Sequence, residues 1–120
     1  MAQGNASLKV LRGDDQGKSW ALHEGEVYVL GRSRKCNLRL TDGTVSSAHA
    51  RMECEQGLWR ITDLKSFHGT QVNDQRILGA KPILDRDLIR AGKSLLQFRE
   101  YEELDPADLA EVDNGVTLRG

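Results

Sequence analysis

Several residue types that mark special protein classes are scarce in this 120-residue sequence. There are two cysteines, Cys36 and Cys54, too few for a disulfide scaffold; both stand in apolar, strand-like surroundings and read as reduced core residues. No apolar run approaches the roughly 20 residues that a membrane-spanning helix requires. The opening MAQGNAS lacks the basic segment and apolar stretch of a secretory signal. A cytoplasmic protein with no membrane contact is expected.

Catalytic and metal signatures are missing as well. His23, His49, His68 and the two cysteines show neither C-x-x-C nor H-x-x-x-H spacing, so no metal site is expected. No G-x-x-x-x-G-K-[ST] phosphate loop and no G-x-S-x-G elbow occurs. The expectation is a chain that is not an enzyme and takes no cofactor. The aromatics Trp20, Tyr28, Trp59, Phe67, Phe98 and Tyr101 mostly alternate with polar neighbours, as core residues do. They do not interleave with a basic stripe, which argues against nucleic acid as partner.

What is present is an ordinary globular composition, 38% hydrophobic and 29% charged, at a length that suits one domain. The net charge of −1 conceals an asymmetry. Residues 101–120 hold six carboxylates against Arg119, a net −5, which leaves residues 1–100 with 16 basic and 12 acidic side chains, a net +4. Arg32, Arg34, Lys35 and Arg39 crowd into eight positions, which favours an anionic partner.

Apolar residues alternate with period two in many short runs, as in Glu26 to Leu30 (EVYVL) and Ala48 to Glu55. Turn signals separate the runs; Gln56-Gly57 and Asn73-Asp74 stand at hairpin spacing, and Pro82 suits an edge strand. This pattern predicts an all-β protein, a sandwich or barrel of many short strands. Residues 1–7 are expected to be a flexible N-terminus, 8–101 the folded domain, and 102–120 an acidic linker or tail leading toward a further domain of a longer protein. The longest connection, from Arg39 to Ala48, is where binding residues are expected.

Three segments form a constellation: Gly31-Arg32 after the EVYVL run, Ser46-Ser47-Ala48-His49, and Asp63-Leu64-Lys65-Ser66-Phe67-His68-Gly69-Thr70 with Val72-Asn73 following. A phosphorylated side chain carries about −1.5 to −2 charges and three acceptor oxygens, and it needs converging donors. Arg32 can supply a bidentate fork, Ser46 a hydroxyl, and loop backbone N–H groups the rest.

In order and spacing these segments resemble the forkhead-associated (FHA) family, whose pattern runs GR, S-x-x-H, then D-L-x-S-x-N-G-T-x-V-N. The likeness covers roughly Leu8 to Tyr101. It implies a two-sheet antiparallel β-sandwich of about eleven short strands, binding a phosphothreonine-containing protein or peptide at one end. That partner would be a kinase substrate or another segment of the same parent protein. It also implies that Arg32 and Ser46 contact the phosphate, with Ser47 assisting, while Phe67, His68 and Thr70 complete the peptide contact. Gly31, His49, Gly69 and Asn73 would support the loops, His49 as a buried strut, with Arg34 and Lys35 as auxiliary charge. Two positions depart from the pattern: Ser47 is shorter than the arginine or asparagine common there, and His68 replaces asparagine. They motivate an alternative, a module of the same fold that binds an unphosphorylated surface.

Overall fold

Residues 5–100 are described in the computed structural model of the chain. They fold into eleven strands: β1 (Ala6–Arg12), β2 (Ser19–Leu22), β3 (Tyr28–Gly31), β4 (Leu38–Arg39), β5 (Ala50–Glu55), β6 (Leu58–Asp63), β7 (Thr70–Val72), β8 (Gln75–Arg76), β9 (Ala80–Pro82), β10 (Leu88–Ala91) and β11 (Ser94–Glu100). A six-stranded sheet runs β2-β1-β11-β10-β7-β8 and a five-stranded sheet β4-β3-β5-β6-β9. The all-β two-sheet architecture expected from the sequence is therefore present. One detail differs: β3 and β4 pair in parallel, Leu30 against Leu38 and Gly31 against Arg39, whereas the other pairs are antiparallel. β1 begins at Ala6, so strand structure reaches into the stretch expected to be flexible. The acidic segment 102–120 lies outside the described residues.

Period-two alternation decides which face of each strand is buried. In β5, Ala50, Met52 and Cys54 point inward while Arg51 and Glu55 are exposed; Met52 opposes Ile61 of β6 and Cys54 opposes Trp59. From the other sheet β11 sends Leu96 and Phe98 into the same core. The Trp59 ring meets Phe98 edge-on at 5.8 Å between centroids and leans on Tyr28 at 6.4 Å, so the aromatic centre bridges the two sheets. Fully burying one large side chain of this kind contributes about 1.5–3 kcal/mol.

The two expected hairpins close as their residues require. Gln56 and Gly57 both take positive φ, as do Asn73 and Asp74, the conformation that the right-handed twist of a two-residue hairpin demands. Pro82 sits in β9, an edge strand. Cys54 is a buried free thiol, but Cys36 departs from its expected core position. It is half-buried in the β3–β4 connection, its sulfur donating to the Ser47 carbonyl at 3.2 Å.

Candidate functional site

Four connections converge at one end of the sandwich: residues 32–37 after β3, 40–49 before β5, 64–69 before β7, and the Gly92-Lys93 turn between β10 and β11. The first two are stitched by main-chain bonds from Arg32 N–H to Ser46 C=O (3.0 Å) and from Ser33 N–H to Ser47 C=O (3.1 Å). This stitching explains Gly31. A Cβ at that position would run into the Ser47 carbonyl oxygen, so only glycine lets the two chains approach.

The convergence leaves a shallow depression of about 210 Å³ lined by Arg32, Gly43, Thr44, Val45, Ser46, Phe67 and His68. Arg32 Nε donates to the Val45 carbonyl at 2.9 Å, which pins the exposed guanidinium on the wall of the depression. Ser46 Oγ accepts the Phe67 N–H at 2.9 Å, and its own hydroxyl proton remains to be donated. A second depression, about 180 Å³, adjoins the first; Thr44 and His68 line both, and Gly92 and Lys93 complete it. Phe67 is 85% exposed and meets the His68 ring edge-on at 4.8 Å.

The structure thus brings together Arg32, Ser46, Phe67 and His68 of the residues singled out in the sequence. Ser47, Arg34 and Lys35 are exposed but do not line the depression. Thr70 differs from its expected place in the peptide contact. It is fully buried, and its hydroxyl donates to Asp63 Oδ1 at 2.7 Å, so it shapes the loop from within. Asn73 lies at the β7–β8 turn, bonding Asp87 and the Leu88 N–H, and Gly69 takes positive φ with Arg76 packed close against it.

His49 bonds two of these connections. With no exposed surface, it accepts the Ser46 N–H at Nδ1 (3.1 Å) and donates from Nε2 to the Gly69 carbonyl (2.9 Å), so its neutral tautomer ties the 40–49 connection to the 64–69 loop. Burial pushes its protonation below the usual histidine range, outweighing the Gly69 bond and the nearby charge of Asp63, which pull the other way.

Two carboxylates that hold the loops were not singled out for that role. Asp63 accepts the Ser66 and Thr70 hydroxyls (2.6 and 2.7 Å) and the Ser66 N–H (3.2 Å). Asp42, fully buried, accepts the Thr44 N–H and hydroxyl (2.8 and 2.7 Å) and the Ser94 hydroxyl (2.8 Å). Burial would raise both carboxyls, but these hydrogen bonds outweigh it and hold each below the ordinary carboxylate range. The signal available was local: an aspartate followed two or three residues later by Thr or Ser, the pattern of a side chain capping its own turn.

Among the described residues, no group of three or more His, Cys, Asp or Glu is gathered as a metal would need, and no helix is long and apolar enough to cross a membrane.

Known proteins share the sequence pattern and the fold. The family model described as the cytoplasmic domain of an inner membrane component of T3SS matches residues 9–102. The glycogen accumulation regulator GarA of Mycolicibacterium smegmatis is 32% identical over 98 residues, 82% of this chain and 61% of its own length. The chain therefore spans about three fifths of that relative. Among solved structures, the FhaA FHA domain, complexed with the intracellular domain of another protein, is 30% identical with a TM-score of 0.70, covering 78% of this chain and 99% of that one. A structure from a study of phosphothreonine-dependent FHA domain interactions is 28% identical with a TM-score of 0.74, covering 82% of this chain and 99% of that one.

Proposed function

The chain belongs to the forkhead-associated family, and from that premise we propose that it is a non-enzymatic interaction module that captures a partner protein by a phosphorylated threonine. The observation that carries the reading is the pairing of Arg32 and Ser46 on one shallow depression, the first with its guanidinium pinned by Val45, the second with a hydroxyl proton to give. A phosphate dianion set there takes charge-assisted bonds from a planar fork and a hydroxyl at once. Nothing is broken or transferred in such an encounter. The partner is a kinase substrate or another segment of the parent protein, and the module works in the cytoplasm.

Selectivity for threonine over serine rests on its extra methyl. Burying that group contributes about 0.8 kcal/mol, roughly fourfold. Larger discrimination requires close packing around the methyl.

The test is titration with a degenerate phosphothreonine peptide library alongside phosphoserine and unphosphorylated counterparts. Micromolar binding, about −8 kcal/mol, confined to phosphorylated peptides and lost in Arg32→Ala while the variant keeps its thermal stability, is the expected outcome. Equal binding by Arg32→Ala would overturn it. One observation favours a second reading, a phosphate-independent module of the same fold: Ser47 does not line the depression, which leaves fewer side-chain donors on the phosphate. Under that reading phosphatase treatment of the partner leaves binding intact.

A further inference from the structure

The two sheets differ in how their charge is balanced. On the five-stranded sheet cations and carboxylates meet: Arg51 reaches Glu53 at 3.3 Å and Arg60 reaches Glu55 at 3.5 Å. The six strands of the other sheet carry Lys9, Arg12, Arg76, Arg90 and Arg99 against a single carboxylate, Glu100. Glu100 is in register with buried Ala6 and so stands on the inner side. Lys9 lies between buried Leu8 and Val10, and Arg90 between buried Ile89 and Ala91, so both face outward. Gln71 carries the register of Arg90 across to Arg76, and Leu95 carries it the other way to Arg12, beyond the irregularity in β1. Arg99 is engaged by Asp85 at 2.9 Å, but among the described residues Lys9, Arg12, Arg76 and Arg90 make no ion pair.

The row begins at the candidate site. Arg76 lies so close over Gly69 that a Cβ there would meet its Nε at 2.8 Å and its Cζ at 3.0 Å, and Gly69 follows His68, which lines the depression. We propose that the outer face of the six-stranded sheet continues the peptide site and takes an extended acidic stretch of the same partner that carries the phosphothreonine. The inference rests on the phosphothreonine reading and adds the chemistry of the partner beside the phosphate. Arg76, Arg90 and Arg12 stand on alternate strands, β8, β10 and β1, so successive members of the row are about 10 Å apart. An extended chain advances about the same distance in three residues. Carboxylates three residues apart therefore meet one guanidinium after another as the chain crosses the strands, each able to accept a bidentate fork. The face suits a bilayer poorly, because the exposed large hydrophobics Val27, Phe67, Leu78 and Leu84 all lie outside its strands. Nor does it offer bases a stacking platform, since its aromatics, Trp20 and Phe98, pack against or within the core.

Fluorescence anisotropy with the whole chain provides the test. The probes are phosphothreonine peptides with a glutamate at every third position, placed before the phosphothreonine in one peptide and after it in another. Each has a twin with glutamine at those positions and an unphosphorylated form. In one of the two directions the glutamate peptide should bind about tenfold more tightly than its glutamine twin at low salt, the gain shrinking to about twofold near 0.5 M salt. That ratio should fall toward one in Arg90→Gln and in Arg76→Gln/Arg90→Gln. Because the ratio is read within each variant, a general change of affinity cancels, and Arg90 lines neither depression. Equal binding of the glutamate and glutamine phosphopeptides in both directions, or a gain that survives in the double variant, would sink the proposal and leave the phosphothreonine reading standing. A gain that emerges only after residues 101–120 are removed also counts against it, assigning the face to the chain's own acidic segment. Capture by phosphatidylserine vesicles that is lost in the double variant would give the face to a membrane instead. Binding of the glutamate peptide that ignores phosphorylation would overturn both readings.

Discussion

At the scale of single residues the loops of the site depend on carboxylates that do not line the depression. Asp63 is the centre of the 64–69 loop, because three donors from Ser66 and Thr70 end on it and Thr70 has no exposed surface. Replacing it by alanine strands those donors where water reaches them poorly, and a buried unmade hydrogen bond costs about 1–3 kcal/mol each. Because the three share one small loop, their losses do not add in full, and Asp63→Ala should destabilise the domain by about 3 kcal/mol. Urea denaturation would show it as a lower midpoint at unchanged slope. A loss below about 1 kcal/mol would mean that the loop relaxes to water and is not held by this carboxylate. The motif that carries the family likeness thus mixes two kinds of residue. Arg32 and Ser46 face outward, and their roles follow from their chemistry; Asp63, Thr70 and His49 face inward, and in a sequence their polar character alone does not distinguish a ligand from a strut.

Among elements, the strands were legible and the loop carpentry was not. Period-two runs such as Ala50–Glu55 with Leu58–Asp63 announced a hairpin because Gln56-Gly57 can adopt the turn they need. The two-residue strands β4 and β8 are too short for alternation to define their partners, and the parallel pairing of β4 with β3, Leu30 against Leu38, leaves no periodic mark in the sequence. The clasp between Asp42 and Ser94 left no mark either, since the two are 52 residues apart, whereas the bonds of Asp42 to Thr44 are local. These connections also set the response to acid. His49 resists protonation in the fold, whereas in the unfolded chain it charges near pH 6.5. Protons thus favour the unfolded state, and stability is complete above about pH 6.5 and declines as the pH falls below it. A second decline comes below the carboxylate value of 3.8, because Asp15, Asp42 and Asp63 are all held lower in the fold; their contribution is present above that value and lost as they protonate. Urea midpoints measured from about pH 8 to 5 should fall in the parent and stay nearly level in His49→Asn, from a lower starting stability. Parallel profiles would assign the decline to another group.

For the whole molecule the two sheets are joined in two different ways. In the middle, Trp59 and Phe98 interlock apolar faces; at the binding end, polar clasps cross from one sheet to the other. Asp15 in the β1–β2 turn accepts the N–H and hydroxyl of Thr41 (both 2.8 Å), His49 reaches Gly69, and Asp42 takes the hydroxyl of Ser94 from β11, while Lys93 N–H donates to Thr44 (2.8 Å). The clasps hold the loops on a rigid frame, and under the proposed function a phosphate would meet donors already in place, at a reduced ordering cost. Ser94 tests this arrangement, because it is fully buried and lines neither depression. In Ser94→Ala one oxygen of a buried carboxylate loses its donor, which should cost about 1–2 kcal/mol of stability. If the clasp positions the 40–49 connection for the partner, phosphopeptide should also dissociate several-fold faster at a temperature where the variant is still fully folded. Faster dissociation would place binding energy in a residue that cannot touch the ligand. Unchanged dissociation beside the same stability loss would mean that the Thr44 to Lys93 bond holds the loop by itself, and that the Asp42 clasp secures the sandwich but not the site.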